Sequence, residues 1–281
     1  MAGAGSAARG TGRLRPLTAL ASPDDPRIDA YRVIKERDLV GRGGRFILEG
    51  RTVLDVALSP RNRFAVESLL IAESRADALA PLLAQTPADV PIYTASQPIL
   101  DGITGFHIHR GLLGVGLRGD MPTAAQVVAG LPAEALVVVA LGITNHDNAG
   151  GIMRNAAAFG ADAALFDFAS CDPLYRKAIR VSVGGSLVVP FAREGTAHDL
   201  LDLLGANGFE LVALSPAGAV ELSHLARAPR TAVLLGAEGP GLPADVMARA
   251  RTVRIAMKGD FDSLNVATTS GITLHALTNF T

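Results

Sequence analysis

Three features are scarce or absent in this sequence, and each one excludes a class of protein. Cys171 is the only cysteine among 281 residues, so neither an internal disulfide nor a cysteine-based zinc site can form. No apolar run approaches the ~20 residues of a membrane-spanning helix. Tryptophan is absent and aromatic residues make up 5% of the chain, so the core must be mainly aliphatic. We therefore expect a cytoplasmic protein with no membrane partner and no bound metal.

Neither sign of charge predominates, since the formal net charge is −1. A globally basic nucleic-acid binder is thereby excluded, and contact with RNA would need a local basic patch. The segment 27–63 is the candidate, because it holds nine basic residues against five acidic ones. The basic residues are Arg27, Arg32, Lys35, Arg37, Arg42, Arg45, Arg51, Arg61 and Arg63. Charge alone leaves two interpretations open, an RNA-binding patch and an ordinary solvated face.

Apolar residues, at 49%, recur with the periods of strands and helices and predict an α/β protein. Residues 1–22 lack the apolar core of a secretory signal and are predicted to be a disordered tail. Residues 23–118 are predicted to form a small α/β domain, followed by a linker at 119–134 that begins with glycine and proline. The predicted strands of the first domain lie at 46–49, 69–72, 90–94 and 112–118.

The second half, 135–281, repeats the alternation with longer elements. The continuous apolar run 135–141 predicts a strand that is buried on both faces, as in a parallel sheet. Further strands are predicted at 163–166, 187–191, 210–214, 231–236 and 252–257, with helices at 151–159, 197–206 and from about 264 onwards. Glycines cluster after several of these strands, where parallel α/β sheets form their ligand sites.

Three segments that follow predicted strands combine polar residues with glycine. The first, NHDNAGGIMRNAAAFG, opens a helix within 145–151. Its polar residues have two interpretations, which are N-capping of that helix and anion binding at the helix N-terminus. Arg154 stands among apolar residues of the same helix, where an arginine usually has an anionic partner.

The second segment, LLGAEGPGLP, is a strand that runs into a glycine-rich turn around Glu238. It is neither a phosphate-binding P-loop nor a GxGxxG fingerprint, and Glu238 favours a cationic or hydroxylated ligand over a phosphate. In the third segment, MKGDFDSLNVATTSGI, Ser263 is predicted to cap the last helix. Asn265 inside a helix start is costly unless its side chain has a partner.

In this order, N-x-G-x-x-x-R, G-x-E-G-x-G-L and S-L-N-V resemble the three motifs of the SpoU (TrmH-like) RNA 2′-O-ribose methyltransferases of the SPOUT superfamily. The segment 170–173, with Arg180, Ser182 and Gly184 after it, is similar to the region between the first two motifs. The resemblance covers 135–281. In the first half, FILEGRTVLDVAL resembles a small substrate-binding domain that is similar to certain ribosomal proteins. Departures at 145–147 and 267–269 bear on the substrate subgroup.

The resemblance implies a parallel sheet with a deep trefoil knot, a homodimer, and S-adenosylmethionine as cofactor. It also implies methylation of a ribose 2′-hydroxyl in structured RNA, and the fused first domain favours ribosomal RNA over tRNA. Carried over position by position, the catalytic residues are Asn148, Arg154, Glu238, Ser263 and Asn265. The cofactor-binding residues are Gly236, Ile255, Met257, Leu264 and Asn265.

The implied reaction moves a methyl group from a sulfonium to a ribose oxygen, which is chiefly a task of positioning. Arginine stays protonated in proteins and is a poor general base. We therefore expect Arg154 to hold an adjacent phosphate and to stabilise the developing alkoxide. The proton would pass to that phosphate, to Glu238 or to water.

Two other functions are alternatives to RNA methylation. A catalytically inactive RNA-binding protein could retain the fold, whereas an α/β dehydrogenase would need the dinucleotide fingerprint that this sequence lacks. His107 and His109 could ligate a metal, but no third ligand is near in sequence. His146 is a candidate for RNA contact, and Cys171 is expected to be a small buried residue.

Overall fold

The computed structural model describes residues 16–32, 43–104, 111–258 and 263–278. Within these ranges the chain forms two β-sheets, one from each half of the sequence, with helices between the strands. The predicted α/β class is thereby confirmed. Among the described residues, the helices are too short or too polar to cross a membrane.

The first sheet has five strands in the order β1-β4-β3-β5-β2. Its strands are β1 (Leu17–Ala19), β2 (Arg45–Glu49), β3 (Ala65–Ala72), β4 (Ile92–Ala95) and β5 (Leu112–Leu117). The helices of this half are α1 (Arg51–Ala57), α2 (Ala76–Leu83) and α3 (Gln97–Thr104), with 3-10 turns at Pro26–Tyr31 and Glu73–Arg75. Strands β1, β4 and β3 are parallel, whereas β5 runs antiparallel to both β3 and β2. The four strands predicted for this half are present, with shifted ends.

Strand β1 lies inside the stretch that was predicted to be a disordered tail. Its residues pair with β4 in register, and Leu20, which is 3% exposed, packs in a cluster with Ile28 and Tyr31. The prediction is wrong for 17–19, because pairing at a sheet edge orders a segment whose own composition carries no strand signal. Residues 1–15 lie outside the described part of the chain.

The second sheet has seven parallel strands in the order β10-β12-β9-β11-β6-β7-β8. Its strands are β6 (Ala135–Ala140), β7 (Ala163–Phe166), β8 (Phe191–Arg193), β9 (Glu210–Leu214), β10 (Val220–Glu221), β11 (Arg230–Leu235) and β12 (Arg251–Arg254). The helices are α4 (Ala124–Ala129), α5 (His146–Phe159), α6 (Arg176–Val181), α7 (Ala197–Ala206), α8 (Ala244–Met247) and α9 (Val266–Leu277). Every residue of β6 is buried, so the predicted burial on both faces is confirmed.

The segment predicted as a linker contains helix α4. Thr123 begins this helix with a capping box, in which its side chain accepts from the backbone N–H of Gln126 and the Gln126 side chain accepts in return. Val127 and Val128 are buried in the core of the second sheet. The linker prediction is wrong for 124–129, because the short apolar run AAQVVA forms a capped helix that packs against the core of the second sheet.

Two predicted strands end or begin elsewhere. The stretch 187–191 was predicted as a strand, but Gly185–Leu187 is a 3-10 turn and β8 begins only at Phe191. Gly184, with φ at 85°, starts that turn in the left-handed region and interrupts the apolar run. The stretch 252–257 was predicted as one strand, but β12 ends at Arg254. Residues 255–257 leave the sheet, and Ile255 and Met257 line a pocket.

The two sheets share one apolar core. The cluster that includes Phe46 and Leu54 of the first half continues without a break into Ile179 and Phe191 of the second. Polar contacts border it: Arg176 Nε donates to Glu49 Oε2 at 2.8 Å, and Arg118 pairs with Asp172. The two halves are therefore packed as one unit rather than tethered by a flexible segment.

Two helical glycines provide a matched test of how closely helix α5 packs against helix α6. A Cβ at Gly150 on α5 would lie 2.6 Å from the Ala178 carbonyl oxygen and 2.8 Å from Val181 Cβ, whereas a Cβ at Gly205 on α7 would meet nothing within 4 Å. We expect Gly150→Ala to lower the free energy of unfolding by about 1–3 kcal/mol. Gly205→Ala should raise it by about 0.5 kcal/mol. Urea titration of both variants measures the difference, and a stabilising Gly150→Ala would contradict the close contact of α5 with α6.

Candidate active site

A pocket of about 420 Å³ lies at the carboxyl edge of the second sheet. The carboxyl ends of neighbouring parallel strands meet at one edge, so loops that are far apart in sequence can line one cavity. The lining residues fall in the ranges 214–216, 235–241, 253–257 and 263–269. These ranges are the end of β9, the turn after β11, the continuation of β12 and the start of α9.

The side chain of Asn265 joins the three motif segments at the mouth of this pocket. Its Nδ2 donates to Asn148 Oδ1 and to Glu238 Oε1, each at 2.9 Å. Its Oδ1 accepts from the backbone N–H groups of Ala267 at 2.9 Å and Thr268 at 3.2 Å. Both amide hydrogens and both lone pairs of the side chain are thus engaged.

Asn265, and not Ser263, is the N-cap of helix α9. The predicted assignment of the cap to Ser263 is wrong, because the helix begins two residues later than the sequence suggested. An N-cap asparagine is favoured at a helix start, so capping accounts for half of the Asn265 side chain. Its amide hydrogens, which point to the other two motifs, are what capping leaves unexplained.

Asn148 reaches the same point from helix α5. Asn145 caps that helix by accepting from the Asp147 backbone N–H at 2.8 Å, so the capping interpretation of the polar loop holds for Asn145. Asn148 follows one turn later and is 4% exposed, with its Oδ1 turned to Asn265. A buried amide held by one defined donor has a fixed orientation, which suits a residue that positions another group.

Glu238 stands on a tight turn whose glycines are required by the backbone. Ala237 and Gly241 form an isolated bridge, and Gly239 and Gly241 have φ values of 85° and 68°. A Cβ at Gly236 would lie 2.4 Å from the Gly241 carbonyl carbon. The turn therefore needs glycine for its own closure, and it presents the exposed carboxylate of Glu238 beside Asn265.

The structure brings most of the predicted site residues together. All five predicted cofactor-binding residues line the pocket, and so do Glu238 and Ser263 from the predicted catalytic group. Asn148 contacts this group through Asn265. The walls are mixed, since apolar residues such as Leu214, Ile255 and Met257 line the pocket together with these polar residues.

Arg154 is the exception. It is exposed on α5, it does not line the pocket, and no ion pair joins it to a carboxylate among the described residues. An anionic partner for Arg154 is therefore not found within the described part of its own chain, and the expected contact with an RNA phosphate stays a prediction. A helix turns by about 100° per residue, which puts Arg154 on a different face from Asn148, while the apolar neighbours in sequence point into the core.

Two contributors were not found from the sequence. Asn155 Nδ2 donates to the Ala267 carbonyl at 2.6 Å and to Ser270 Oγ at 2.8 Å, which fastens α5 to α9 behind the motif residues. Residues 214–216 form one wall of the pocket. The sequence did carry a signal for each. Asn155 is an asparagine in a helix interior, and residues 214–216 lie at the end of a predicted strand, at the edge where parallel sheets bind ligands.

Burial changes the acidity of two nearby groups. The His146 ring is half-buried and lies edge-on to Tyr175, with 4.7 Å between ring centroids. Burial lowers the pKa of His146, and the charge of Lys177 adds to this, so the imidazole is neutral at neutral pH. Burial also raises the pKa of the Cys171 thiol to about 11, which fits the expected inert packing role.

Most of the described basic residues of 27–63 have partners. The pairs are Arg27 with Asp25, Arg32 with Asp29, Arg45 with Glu67, and Arg51 with Asp55. Arg63 donates to the Val189 carbonyl, and burial lowers its pKa. For this part the solvated, paired interpretation accounts for the charges. Lys35, Arg37 and Arg42 lie outside the described residues, as do His107 and His109, and no metal-binding cluster occurs in the part of the chain that is described.

Comparison with known proteins agrees with this geometry. Residues 135–275 match the model of the SpoU rRNA Methylase family. A Mycobacterium bovis protein described as an uncharacterized tRNA/rRNA methyltransferase is 38% identical over 268 residues, covering 92% of this chain and 91% of that protein. An rRNA methyltransferase from Sinorhizobium meliloti with bound S-adenosylmethionine is 21% identical, has a TM-score of 0.75, and covers 92% and 97% of the two chains.

A third similar structure is described as an RNA 2′-O ribose methyltransferase. It is 22% identical, has a TM-score of 0.71, and the match covers 93% of this chain and 97% of that one. Matches at this level of identity define a common fold, with the parallel sheet described above. The family match spans half of the chain and includes all three motif segments.

The chain belongs to the SpoU rRNA Methylase family, and it is an RNA methyltransferase. S-adenosylmethionine, the cofactor that the resemblance implied, is supported by the family match and by the neighbour that holds it.

Substitution can distinguish the two roles of the Asn265 side chain, which are helix capping by its Oδ1 and hydrogen-bond donation by its Nδ2. Serine also caps helices, so Asn265→Ser should change the free energy of unfolding by less than about 1 kcal/mol, whereas Asn265→Ala should lower it by about 1–2 kcal/mol. Both variants lose the donors to Asn148 and Glu238. We expect methyl transfer to fall roughly 10- to 100-fold in each. Thermal unfolding and a tritium-transfer assay on ribosomal RNA measure the two effects, and full activity of Asn265→Ser would contradict the role of the amide hydrogens.

Proposed function

We propose that this protein transfers a methyl group from S-adenosylmethionine to a ribose 2′-hydroxyl of structured RNA, with ribosomal RNA favoured over tRNA. One observation carries the proposal: the Asn265 amide joins Asn148 and Glu238 at the mouth of a pocket large enough for a nucleoside cofactor. The similar protein described as a 2′-O ribose methyltransferase supports the ribose as acceptor. The domain 23–118, which supplies four of the five strands of the first sheet, is proposed to bind the RNA substrate, and the protein to act in the cytoplasm.

The pocket fits the proposed cofactor in size and chemistry. A cavity of about 420 Å³ falls within the range of roughly 300–1,000 Å³ that holds small ligands. Apolar walls at Leu214, Ile255 and Met257 suit a purine ring, and the backbone of 235–241 offers hydrogen-bonding groups. The exposed Glu238 carboxylate complements a cationic ligand and would repel a phosphate.

The bound cofactor would supply a methyl group on a positively charged sulfur, which is open to attack by an oxygen nucleophile. The protein's own task is then to aim the ribose oxygen and to receive its proton. Asn148 is held in one orientation by the hydrogen bond from Asn265, so its own amide nitrogen can fix a ribose hydroxyl beside the pocket. Glu238, 2.9 Å from the Asn265 amide, is the carboxylate in reach of that proton.

Arg154 cannot easily serve the pocket of its own chain, since it is exposed and absent from the pocket lining. We propose that the chain forms a homodimer and that Arg154 enters the partner's site, where it holds an RNA phosphate and stabilises the developing alkoxide. Ile272, which is 40% exposed on α9, lies on a helix that packs against α5 and offers an apolar contact for the second copy.

We also propose that the C-terminal segment forms the trefoil knot implied by the resemblance. Residues 235–241 lie beside 253–257 and 263–269 around the pocket, and the contact of Glu238 with Asn265 joins the first of these segments to the last. Such proximity is what a chain end threaded beside an earlier loop would produce.

The proposed function is tested by mapping ribose methylation in ribosomal RNA and tRNA from wild-type and deletion strains. We expect one 2′-O-methyl nucleotide to be lost from ribosomal RNA on deletion, and to return with the wild-type gene but not with Asn265→Ala. Calorimetry with S-adenosylmethionine accompanies this mapping. Absence of cofactor binding would contradict methyl transfer and favour a non-catalytic RNA-binding protein.

The composite site is tested by mixing two variants of reduced activity, Arg154→Ala and Asn265→Ser. If each site takes Arg154 from the partner, half of randomly formed dimers are mixed and each contains one intact site. Activity should then recover to about a quarter of the wild-type value. If Arg154 acts within its own chain, every site keeps one defect and activity does not recover. Light scattering establishes the dimer beforehand, and a monomer would exclude the arrangement.

A further inference from the structure

One aromatic ring stands out on the described surface. Phe168 follows strand β7 and is 60% exposed, the most exposed large hydrophobic side chain of the described residues. The other exposed large hydrophobic side chains are aliphatic, namely Leu17, Leu264 and Ile272. In a chain so poor in aromatic residues, most described rings are buried or half-buried, so an exposed phenylalanine calls for a reason.

The loop that carries Phe168 is held rigidly. Asp167 is 7% exposed, and its carboxylate accepts from the backbone N–H of Gly142 and from both the N–H and the Oγ–H of Ser170. The Phe168 N–H donates to the Gly195 carbonyl at 2.8 Å. The ring is therefore presented by a fixed backbone and is not exposed because its loop is loose.

A guanidinium group lies over this ring. Arg193 Cζ is 5.9 Å from the Phe168 ring centroid, within the range of a cation–π contact. Its N–H groups donate to the Phe168 carbonyl at 2.6 Å and the Ser170 carbonyl at 2.7 Å, and no ion pair to a carboxylate involves it among the described residues. The positive charge is thus fixed in place by neutral acceptors and is left unneutralised.

The pair lies on the edge of the sheet that holds the active site. Strand β7 is the neighbour of β6, which leads into the loop before Asn148. The two loops are hydrogen-bonded: the Ile143 N–H donates to Ser170 Oγ at 2.9 Å, and the Cys171 N–H donates to the Ile143 carbonyl at 2.8 Å. Phe168 is therefore one strand away from the strand that leads into the first motif and Arg193 is two strands away, and the loop of Phe168 is hydrogen-bonded to the loop before that motif.

A second phenylalanine–arginine pair shows what a packing contact looks like in this chain. Arg230 Cζ lies 4.3 Å from the Phe209 ring centroid, at the opposite edge of the sheet. Phe209 is 6% exposed, so that ring is part of the core and the arginine covers it. At Phe168 the arginine is in place but the ring remains open to solvent, which leaves a face free for a planar ligand.

We propose that Phe168 and Arg193 form a stacking platform for an RNA base that flanks the methylated nucleotide. The inference rests on the proposed function and names part of its substrate site. Unpaired bases are recognised by stacking on aromatic rings and on guanidinium planes, and the fixed charge of Arg193 attracts the adjacent phosphate. An unpaired nucleotide beside the target is therefore the feature of the RNA that this platform selects.

The absence of tryptophan makes the platform directly observable. Phe168→Trp introduces the only tryptophan of the chain at the proposed stacking position, and titration with a mixed-sequence single-stranded RNA of about 12 nucleotides should quench the tryptophan fluorescence. Ala206→Trp, at the exposed end of α7 near the opposite edge, is the matched control and should not be quenched. Quenching that is equal in both variants, or absent in Phe168→Trp, overturns the proposal.

Truncation gives a second, independent measurement. Phe168→Ala should weaken binding of the same RNA roughly 5- to 100-fold and raise KM for ribosomal RNA, with unchanged S-adenosylmethionine affinity, and Phe168→Tyr should restore both. Unchanged RNA affinity with intact methyl transfer overturns the platform and leaves the proposed function standing. If the wild-type protein transfers no methyl group, the proposed function is wrong. The fluorescence titration still tests stacking in that case. Conversion of a dimer to a monomer by Phe168→Ala overturns the proposal and assigns the ring to a protein contact.

Discussion

The candidate active site depends on one primary amide. The Asn265 side chain accepts two hydrogen bonds at the start of helix α9 and donates two across the pocket, so a single planar group fixes three chain segments. Only asparagine combines two donors and a double acceptor at this length. An aspartate would cap the helix but turn a third acceptor towards Asn148 and Glu238, and a serine would reach neither of them. The formation of the last helix and the assembly of the site are therefore the same event.

Small residues behind the amide hold this geometry in place. A Cβ at Gly151 would lie 2.5 Å from Ala267 Cβ, so helices α5 and α9 approach more closely there than two side chains would allow. Asn155 then donates across the contact to the Ala267 carbonyl and to Ser270. The distances between the motif residues are thus set by residues behind them that do not line the pocket. In this sense the glycines of the first motif serve helix packing at least as much as ligand approach.

Local signals in the sequence predicted a large part of this fold. The sequence predicted β6 and the turn after β11 correctly, because burial on both faces requires a continuous apolar run and positive φ favours glycine. Strand β1 and helix α4 were missed because tertiary pairing orders them. The face of α5 on which Arg154 lies depends on how the whole helix docks, and sequence periodicity did not resolve it. The exposure of Phe168 has no counterpart in the sequence at all.

The apolar core shared by the two sheets has a consequence during synthesis. Phe46, Leu54 and their neighbours leave the ribosome early, but Ile179 and Phe191, which cover them, follow more than about a hundred residues later. At a synthesis rate of about 5–20 residues per second, this apolar surface stays uncovered for several seconds. Release of the nascent chain before residue 191 would therefore leave an aggregation-prone intermediate whose core is only partly covered.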